Sequence, residues 1–418
     1  MRLSGRSSTR AGRLVAVAIA AAVVAEIAVV VLSPTPPEVE PASVEESAYF
    51  GDEQIERARD FRGGQRNLML IGLGADLGAL ALLACGRPRS VRGLLERAGA
   101  RPLLGAAATG AGISLLLSAI GLPTGLIAHE RAVDVGLSTQ GLGEWLVDRA
   151  KAAGIGVVMA ALGGLLLIAL QRRLPRLWWL AGSGAVVLYA VVISWLAPVV
   201  LAPLFNDFEA LPEGATRARV LELADRAGVD VGEVYVVDAS RRSTALNAYV
   251  GGLGSSKRVV LYDNLLDRAE RAELESVVAH ELGHVAGNDI PRGILFVALA
   301  APLGMLTLAV GGSGMAKRWG AEPGTPAALP AYALMLTVVA FAIGLAGNQL
   351  SRAVEASADD FALRLTDDPQ GLVDLQLRLA KTNLADPDPG SPLDRVLRTH
   401  PSTVDRIGAA VAFGDHGG

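Results

Sequence analysis

Seven stretches of this sequence are apolar and long enough to lie in a bilayer, and they constrain its fold more than any other feature. They run over residues 14–32, 68–85, 103–122, 155–170, 177–201, 294–310 and 331–350. Crossing the hydrocarbon layer as a helix takes about 20 residues. Lipid offers no hydrogen bonds, so a spanning backbone must satisfy its own, and a helix does so within one segment. The fourth and sixth stretches are short, and the seventh has ragged ends. The first can also be read as a signal peptide, but its apolar run exceeds a signal core and no small-residue cleavage site follows it. The expected fold is therefore mainly α, with about seven transmembrane helices. Composition agrees: 51% of the 418 residues are hydrophobic and only 19% are charged.

The rest of the chain falls between these stretches. Residues 1–204 hold five spans and their loops, 205–291 look soluble, 292–350 hold two more spans, and 351–418 look soluble again. In the first soluble piece the pattern predicts a helix over 215–227 and strands at 234–237, 247–250 and 258–262. A glycine-rich turn, 251–254, joins the last two strands, and a helix follows over 271–287. Residues 34–46, rich in proline and glutamate, read as a flexible loop. The net charge of −4 gives no reason to expect a nucleic-acid partner. The single cysteine, Cys85, excludes an intrachain disulfide and reads as a small buried hydrophobe. A metal in this chain must be held by histidines and carboxylates.

Short-loop arginines and lysines set orientation. They gather in the N-terminal tail (Arg2, Arg6, Arg10, Arg13) and in the second-to-third connection (Arg87, Arg89, Arg92, Arg97, Arg101). The fourth-to-fifth connection adds Arg172, Arg173 and Arg176, and the sixth-to-seventh adds Lys317 and Arg318. Seven spans put all four groups on one side, the cytoplasm, and both soluble pieces outside. The first loop then also lies outside, where Arg57, Arg59, Arg62 and Arg66 are offset by a larger number of acidic residues.

The chemistry sits in His280-Glu281-Leu282-Gly283-His284. Residues four apart share a helix face, so His280 and His284 can offer two imidazoles to one ion. Glu281 is placed to reach a water on that ion. Two imidazoles and a carboxylate, with a fourth position open, make a hydrolytic zinc site. The competing reading is two surface histidines beside a glutamate. With five histidines in the chain, such a pattern arises by chance on the order of once in several hundred chains. Glu355 and Asp359 are also four apart. Glu355 can complete the metal shell, and Asp359 can accept the free ring N–H of a ligand histidine. Taken alone, such a pair is usually a solvated helix face.

From Leu122 to Ile407 the chain resembles the CaaX prenyl protease 1 type of membrane zinc metalloprotease. The likeness rests on His280-Glu281-Leu282-Gly283-His284 and on Ser351, Arg352, Glu355, Ala358 and Asp359. Pro203-Leu204-Phe205-Asn206, Leu211-Pro212-Glu213-Gly214, Asn247-Ala248-Tyr249, the strand at 258–263 and Thr399-His400-Pro401-Ser402 with Arg406-Ile407 also look like the family. The resemblance implies seven membrane helices around a chamber, with a zincin-like α+β catalytic domain split around the last two spans. It implies one Zn2+ per chain on His280, His284 and Glu355, with Glu281, His400 and Asp359 in the catalytic set. Asn247, Ala248 and Tyr249 would meet the substrate, a peptide or protein at the membrane, lipidated in the eukaryotic members. Those members carry a histidine shortly before Asn-Ala-Tyr, where this chain reads Ser243-Thr244-Ala245-Leu246.

In this reading Glu281 is the general base, His400 steadies the oxyanion, and the substrate lies extended along the strand at 247–250. Arg406 reads as half of a structural ion pair. Asp76 and Glu26 lie inside apolar runs, where an ionisable group is costly. His129 reads as a structural loop residue and His416 as part of a disordered end. The composition looks bacterial, which favours clearance of membrane proteins over prenylated substrates. A transporter or inert scaffold with a structural metal is the remaining alternative, and it would need four protein ligands.

Overall fold

The computed structural model describes residues 4–86, 88–252 and 257–416. All seven apolar stretches are helical. They are α1 (Ser4–Leu32) and α2 (Asp52–Ala84), then, after a short α3 (Arg89–Ala98), α4 (Pro102–Asp134), α5 (Leu142–Arg173) and α6 (Trp178–Leu196). The first soluble piece follows as β1 (Phe208–Ala210), α7 (Ala215–Arg226), β2 (Glu233–Val237), β3 (Ala248–Gly251), β4 (Arg258–Tyr262), α8 (Asp263–Arg268) and α9 (Arg271–Ala286). Two spans, α10 (Asp289–Arg318) and α11 (Leu329–Thr366), lead to α12 (Pro369–Thr382), α13 (Pro392–Leu397) and α14 (Thr403–Asp415).

The helices outrun their apolar stretches because their charged ends stand out of the membrane and hold the soluble parts. Arg62 at the top of α2 donates to the carbonyls of Asn383 and Leu384, which end α12, and Arg66 pairs with Asp394. Asp148 near the start of α5 pairs with Arg242 at 2.8 Å. These arginines of the first loop are therefore engaged by protein. α11 runs unbroken for 38 residues from the seventh span into the second soluble piece, so that span and Glu355 belong to one rigid rod.

Six of the spans form a closed ring, in the order α2, α4, α5, α6, α10, α11 and back to α2, with α1 packed outside against α10 and α11. α6 is buried only at its start, at Trp178, Gly182 and Ser183, and beyond them no residue of the span is fully buried, as expected of a helix with lipid on one side and an enclosed space on the other. An apolar cavity of about 550 Å³ lies inside the ring between Gly110, Leu167, Gly182, Met305 and Tyr332. The arginine-rich connections meet at one end of the ring. Gly324 donates to Gln171, and Arg92 lines one small cleft with Trp319 and Gly320. Cys85 caps α2 at this end and is exposed. The buried position expected for it is corrected, because α2 ends one residue earlier, at Ala84.

At the other end, the two soluble pieces share one core. Val220, Leu223, Val259, Leu261, Val278 and Leu282 of the first pack with Leu372, Leu375 and Ile407 of the second. The sheet order is β1-β2-β4-β3, with β2 and β4 parallel and the outer pairs antiparallel. β3 is thus an edge strand. The expected glycine turn after it lies outside the described residues beyond Gly252.

Residues 34–46 are not a free loop. Prolines favour an extended chain, and here that chain lies as a strap against α14. The Ala42 amide donates to the Gly408 carbonyl at 3.0 Å, and Val44, Tyr49 and Phe50 enter the shared core. His129 is not in a loop either. It lies in the last turns of α4, buried and stacked on Trp145 at 5.1 Å. His416 caps α14, its ring bonded to Ala412 O at 2.7 Å, because the helix persists to that point.

A Cβ on Gly408 would meet Ala42 O at 2.2 Å. Gly408→Val is expected to lift the strap and destabilise the protein by about 1–3 kcal/mol, the usual range for overpacking. A lower melting temperature and faster cutting by a Glu-specific protease at Glu38, Glu40 or Glu45 would register it.

Candidate metal centre

α9 begins with a capping box. Glu270 and Glu273 each accept the other's backbone N–H, and buried Glu273 is anchored by Arg378 of α12 at 2.6 Å. This fixes the start of the helix that carries both histidines. The helix ends at Gly287, and Asn288, in the left-handed region at φ 55, turns the chain into α10. Gly283 explains the glycine in the motif. A Cβ there would meet Ala358 and Phe361 of α11 at 3.2 Å, so glycine lets α9 and α11 cross closely.

That crossing places Glu355 against both imidazoles. His280 Nε2 and His284 Nε2 are 3.2 Å apart. Glu355 Oε2 lies 3.3 Å from His280 Nε2, and Glu355 Oε1 lies 3.7 Å from His284 Nε2. Tetrahedral coordination at bonds of about 2.0–2.1 Å implies ligand–ligand edges of about 3.3 Å. Glu355 Oε2 is also buried, and among the described residues it has no well-formed hydrogen bond, with His280 Nε2 facing it at 3.3 Å. Burying such an atom unpaired is costly, and a cation between the three side chains would satisfy it. The residues fit a metal ion. Glu281 lies within the same cluster, inside 4.8 Å of the histidine nitrogens.

Each histidine is steered from behind. His280 Nδ1 meets Asp359 Oδ1 at 2.8 Å, and Arg406 grips both oxygens of Asp359 at 2.7 and 2.5 Å. His284 Nδ1 meets Asp289 Oδ2 at 2.9 Å, and Arg292 lies 3.2 Å from Asp289 Oδ1. Asp359 therefore meets the ring nitrogen of His280 that faces away from Glu355. Arg406 makes the ion pair expected from the sequence. Asp289 was missed by sequence reasoning. It is five residues beyond His284, off the helical spacing, and only the left-handed turn at Asn288 swings it back.

Burial opposes charge on His280, but the Asp359 carboxylate overrides it and raises the metal-free pKa to about 9. Burial pushes the Glu281 carboxyl up, against the pull of the two imidazoles and the Val250 N–H of β3. A raised carboxyl pKa suits a group that must accept and release a proton near neutrality.

His400 reaches the same cluster from the second soluble piece, its Nε2 3.3 Å from Glu355 Oε1. Its ring is 59% exposed, and what it faces is a cavity of about 930 Å³ shared with Arg62, Arg66, Arg398 and Arg406. Protein around that space disfavours the charged ring and lowers its pKa. Thr399 Oγ1 lies 2.8 Å from His400 Nδ1; if the hydroxyl donates there, Nε2 carries the ring proton. Asn247 is exposed and Tyr249 half-buried, while the Ala248 methyl points into the core. Ala248 can thus meet a ligand only through its backbone. Ser243 and Thr244 bond the carbonyls of Leu137 and Gly136 at 3.0 Å. Glu26 accepts from Gln349 at 2.9 Å, and Asp76 has one buried oxygen without a partner; neither joins the cluster.

Residues 210–413 match the description Peptidase family M48, and residues 49–207 match CAAX prenyl protease N-terminal, five membrane helices. The chain is 31% identical over 300 residues to the "Uncharacterized metalloprotease YhfN" of Bacillus subtilis (strain 168), covering 71% of this chain and 70% of that protein. It is 33% identical over 225 residues to the "CAAX prenyl protease 1 homolog" of Oryza sativa subsp. japonica, covering 53% of this chain and 52% of the plant protein. The crystal structure of S. mikatae Ste24p aligns with a TM-score of 0.76 at 21% identity, covering 95% of this chain and 98% of that one. That likeness shows a shared fold.

Two outcomes follow for metal retention. Asp289→Asn and Asp359→Asn should each weaken it by roughly 10–100-fold, measured by competition with a chelating dye. With its pKa raised from 6.5 to about 9, metal-free His280 is protonated at pH 7. The stability that proton adds is complete below 6.5 and lost as pH rises through about 9. A metal must displace it, so apparent affinity should fall roughly tenfold per unit as pH drops from 8 to 7. A flat titration would contradict the assignment.

Proposed function

The chain belongs to peptidase family M48 and is an integral membrane metallopeptidase; from that premise we propose that it is a zinc endopeptidase whose ion is held by His280, His284 and Glu355. The observation that carries this is the convergence of two imidazole nitrogens with a buried carboxylate oxygen that lacks any other partner. Zinc there supplies Lewis acidity toward a water and a peptide carbonyl. Glu281 takes the proton from the attacking water and returns it to the leaving amine. His400 donates from Nε2 to the carbonyl oxygen as charge develops on it. The free edge of β3 pairs with the extended substrate backbone, with Asn247 and Tyr249 beside it. Three protein ligands with an acid at hand favour catalysis over a structural ion, which would be closed by a fourth.

The substrate in this reading is a membrane-associated polypeptide. The plant relative is named a CAAX prenyl protease 1 homolog. In this chain the segment before Asn247 offers hydroxyls bound to a loop, with no imidazole, which favours bacterial membrane-protein clearance over dependence on a prenyl group. We place the four stretches 1–204, 205–291, 292–350 and 351–418 in a bacterial cell membrane with the metal centre outside. The gathered arginines at the far end of the ring support that orientation.

Glu281→Gln should keep fold and zinc and lose peptidase activity by several orders of magnitude, read with a quenched peptide with and without chelator. Near-normal cleavage would sink the mechanism. A farnesylated and an unmodified version of one peptide should be cut at similar kcat/KM. The single native cysteine reports orientation: Cys85 in intact cells should resist an impermeant maleimide and react after permeabilisation. Labelling of intact cells would reverse the proposed face.

A further inference from the structure

We infer that Arg352 is a positioning residue for His400, holding the loop that carries it at the metal centre; this rests on the oxyanion role proposed for His400. α13 is a helix of 6 residues, and the carbonyls at its end have no partner within the helix. α11 supplies those partners. Asn348 Nδ2 donates to Val396 O and Leu397 O at 3.0 and 3.1 Å. Arg352 Nη1 donates to Arg398 O at 2.7 Å. Two residues later comes His400, 3.3 Å from Glu355.

The anchors and the metal centre lie on one stripe. Asn348, Arg352, Glu355 and Asp359 follow one another along α11 at helical steps of three or four residues, so all four share a face. From one end to the other, this face fixes the loop before His400, presents Glu355, and orients His280 through Asp359. Among the described residues Arg352 makes no ion pair with a carboxylate, and its described bond goes to that loop. A guanidinium kept half-buried without a counter-charge is costly, and here it secures the approach of one imidazole. A shift of about 1 Å in a catalytic group is enough to cost up to 10²-fold in rate.

The test uses the full-length, zinc-loaded protein in proteoliposomes with a quenched peptide substrate. His400→Ala should lower kcat by on the order of 10²-fold. Arg352→Ala should lower kcat by on the order of tenfold, with KM and bound zinc unchanged. Arg352→Lys, which keeps a donor, should recover most of that loss. The double variant Arg352→Ala/His400→Ala should be no slower than His400→Ala alone, within about twofold. Asn348→Ala, a milder change on the same carbonyls, should show the same non-additivity if Arg352→Ala folds poorly. Losses that multiply in the double variant, or zinc lost with Arg352→Ala, would overturn the positioning role. A His400→Ala enzyme with unchanged kcat would instead overturn the His400 reading, whatever Arg352 does.

Discussion

The burial of charge where α9 crosses α11 governs the rest of the molecule. His280, Glu355 and Asp359 are all nearly inaccessible there, and an unpaired ion in such a place costs several kcal/mol. Each group must therefore find a partner on another element. Asp359 finds His280 and Arg406, so α14 must dock on α11. Glu355 faces both imidazoles, so α9 must approach closely enough to need Gly283. The two soluble pieces, separated in sequence by two membrane spans, are joined by this crossing and by the apolar core they share.

How far the sequence reveals this depends on the range of the interaction. Apolar runs and helical spacing are local, so all seven spans and the pairing of His280 with His284 can be read directly. The strands at 234–237, 247–250 and 258–262 are equally legible from β-branched and aromatic residues. β1 is not, since Phe208–Ala210 is three residues long and is a strand only because Val237 and Tyr235 lie beside it. Asp289 is invisible because a left-handed turn places it. The strap over residues 34–46 is misread because proline content describes stiffness and says nothing about what the stiff segment lies against. Ser351-Arg352 stands out as part of a motif, but its role appears only when α13 is seen to end on α11.

The ring shapes what can reach the centre. Spans that enclose a space leave the second half of α6 with no fully buried residue, although it packs along α10. The metal centre lies at the mouth of that ring, with β3 presenting a free edge beside it and His400 facing a cavity from the other side. An edge strand accepts only extended backbone.

The dependence of Asp359 on Arg406 also has a temporal meaning. α14 leaves the ribosome after the seven described spans, and Arg406 comes with it. Until then Asp359 lacks its cation and His280 lacks a settled orientation, while the strap between α1 and α2 has no Gly408 to close on. The seven described spans can therefore be in place before Arg406 reaches Asp359. The order of synthesis thus sets the order in which the charges of this crossing can be matched: His280 can meet Glu355 before Asp359 acquires its cation.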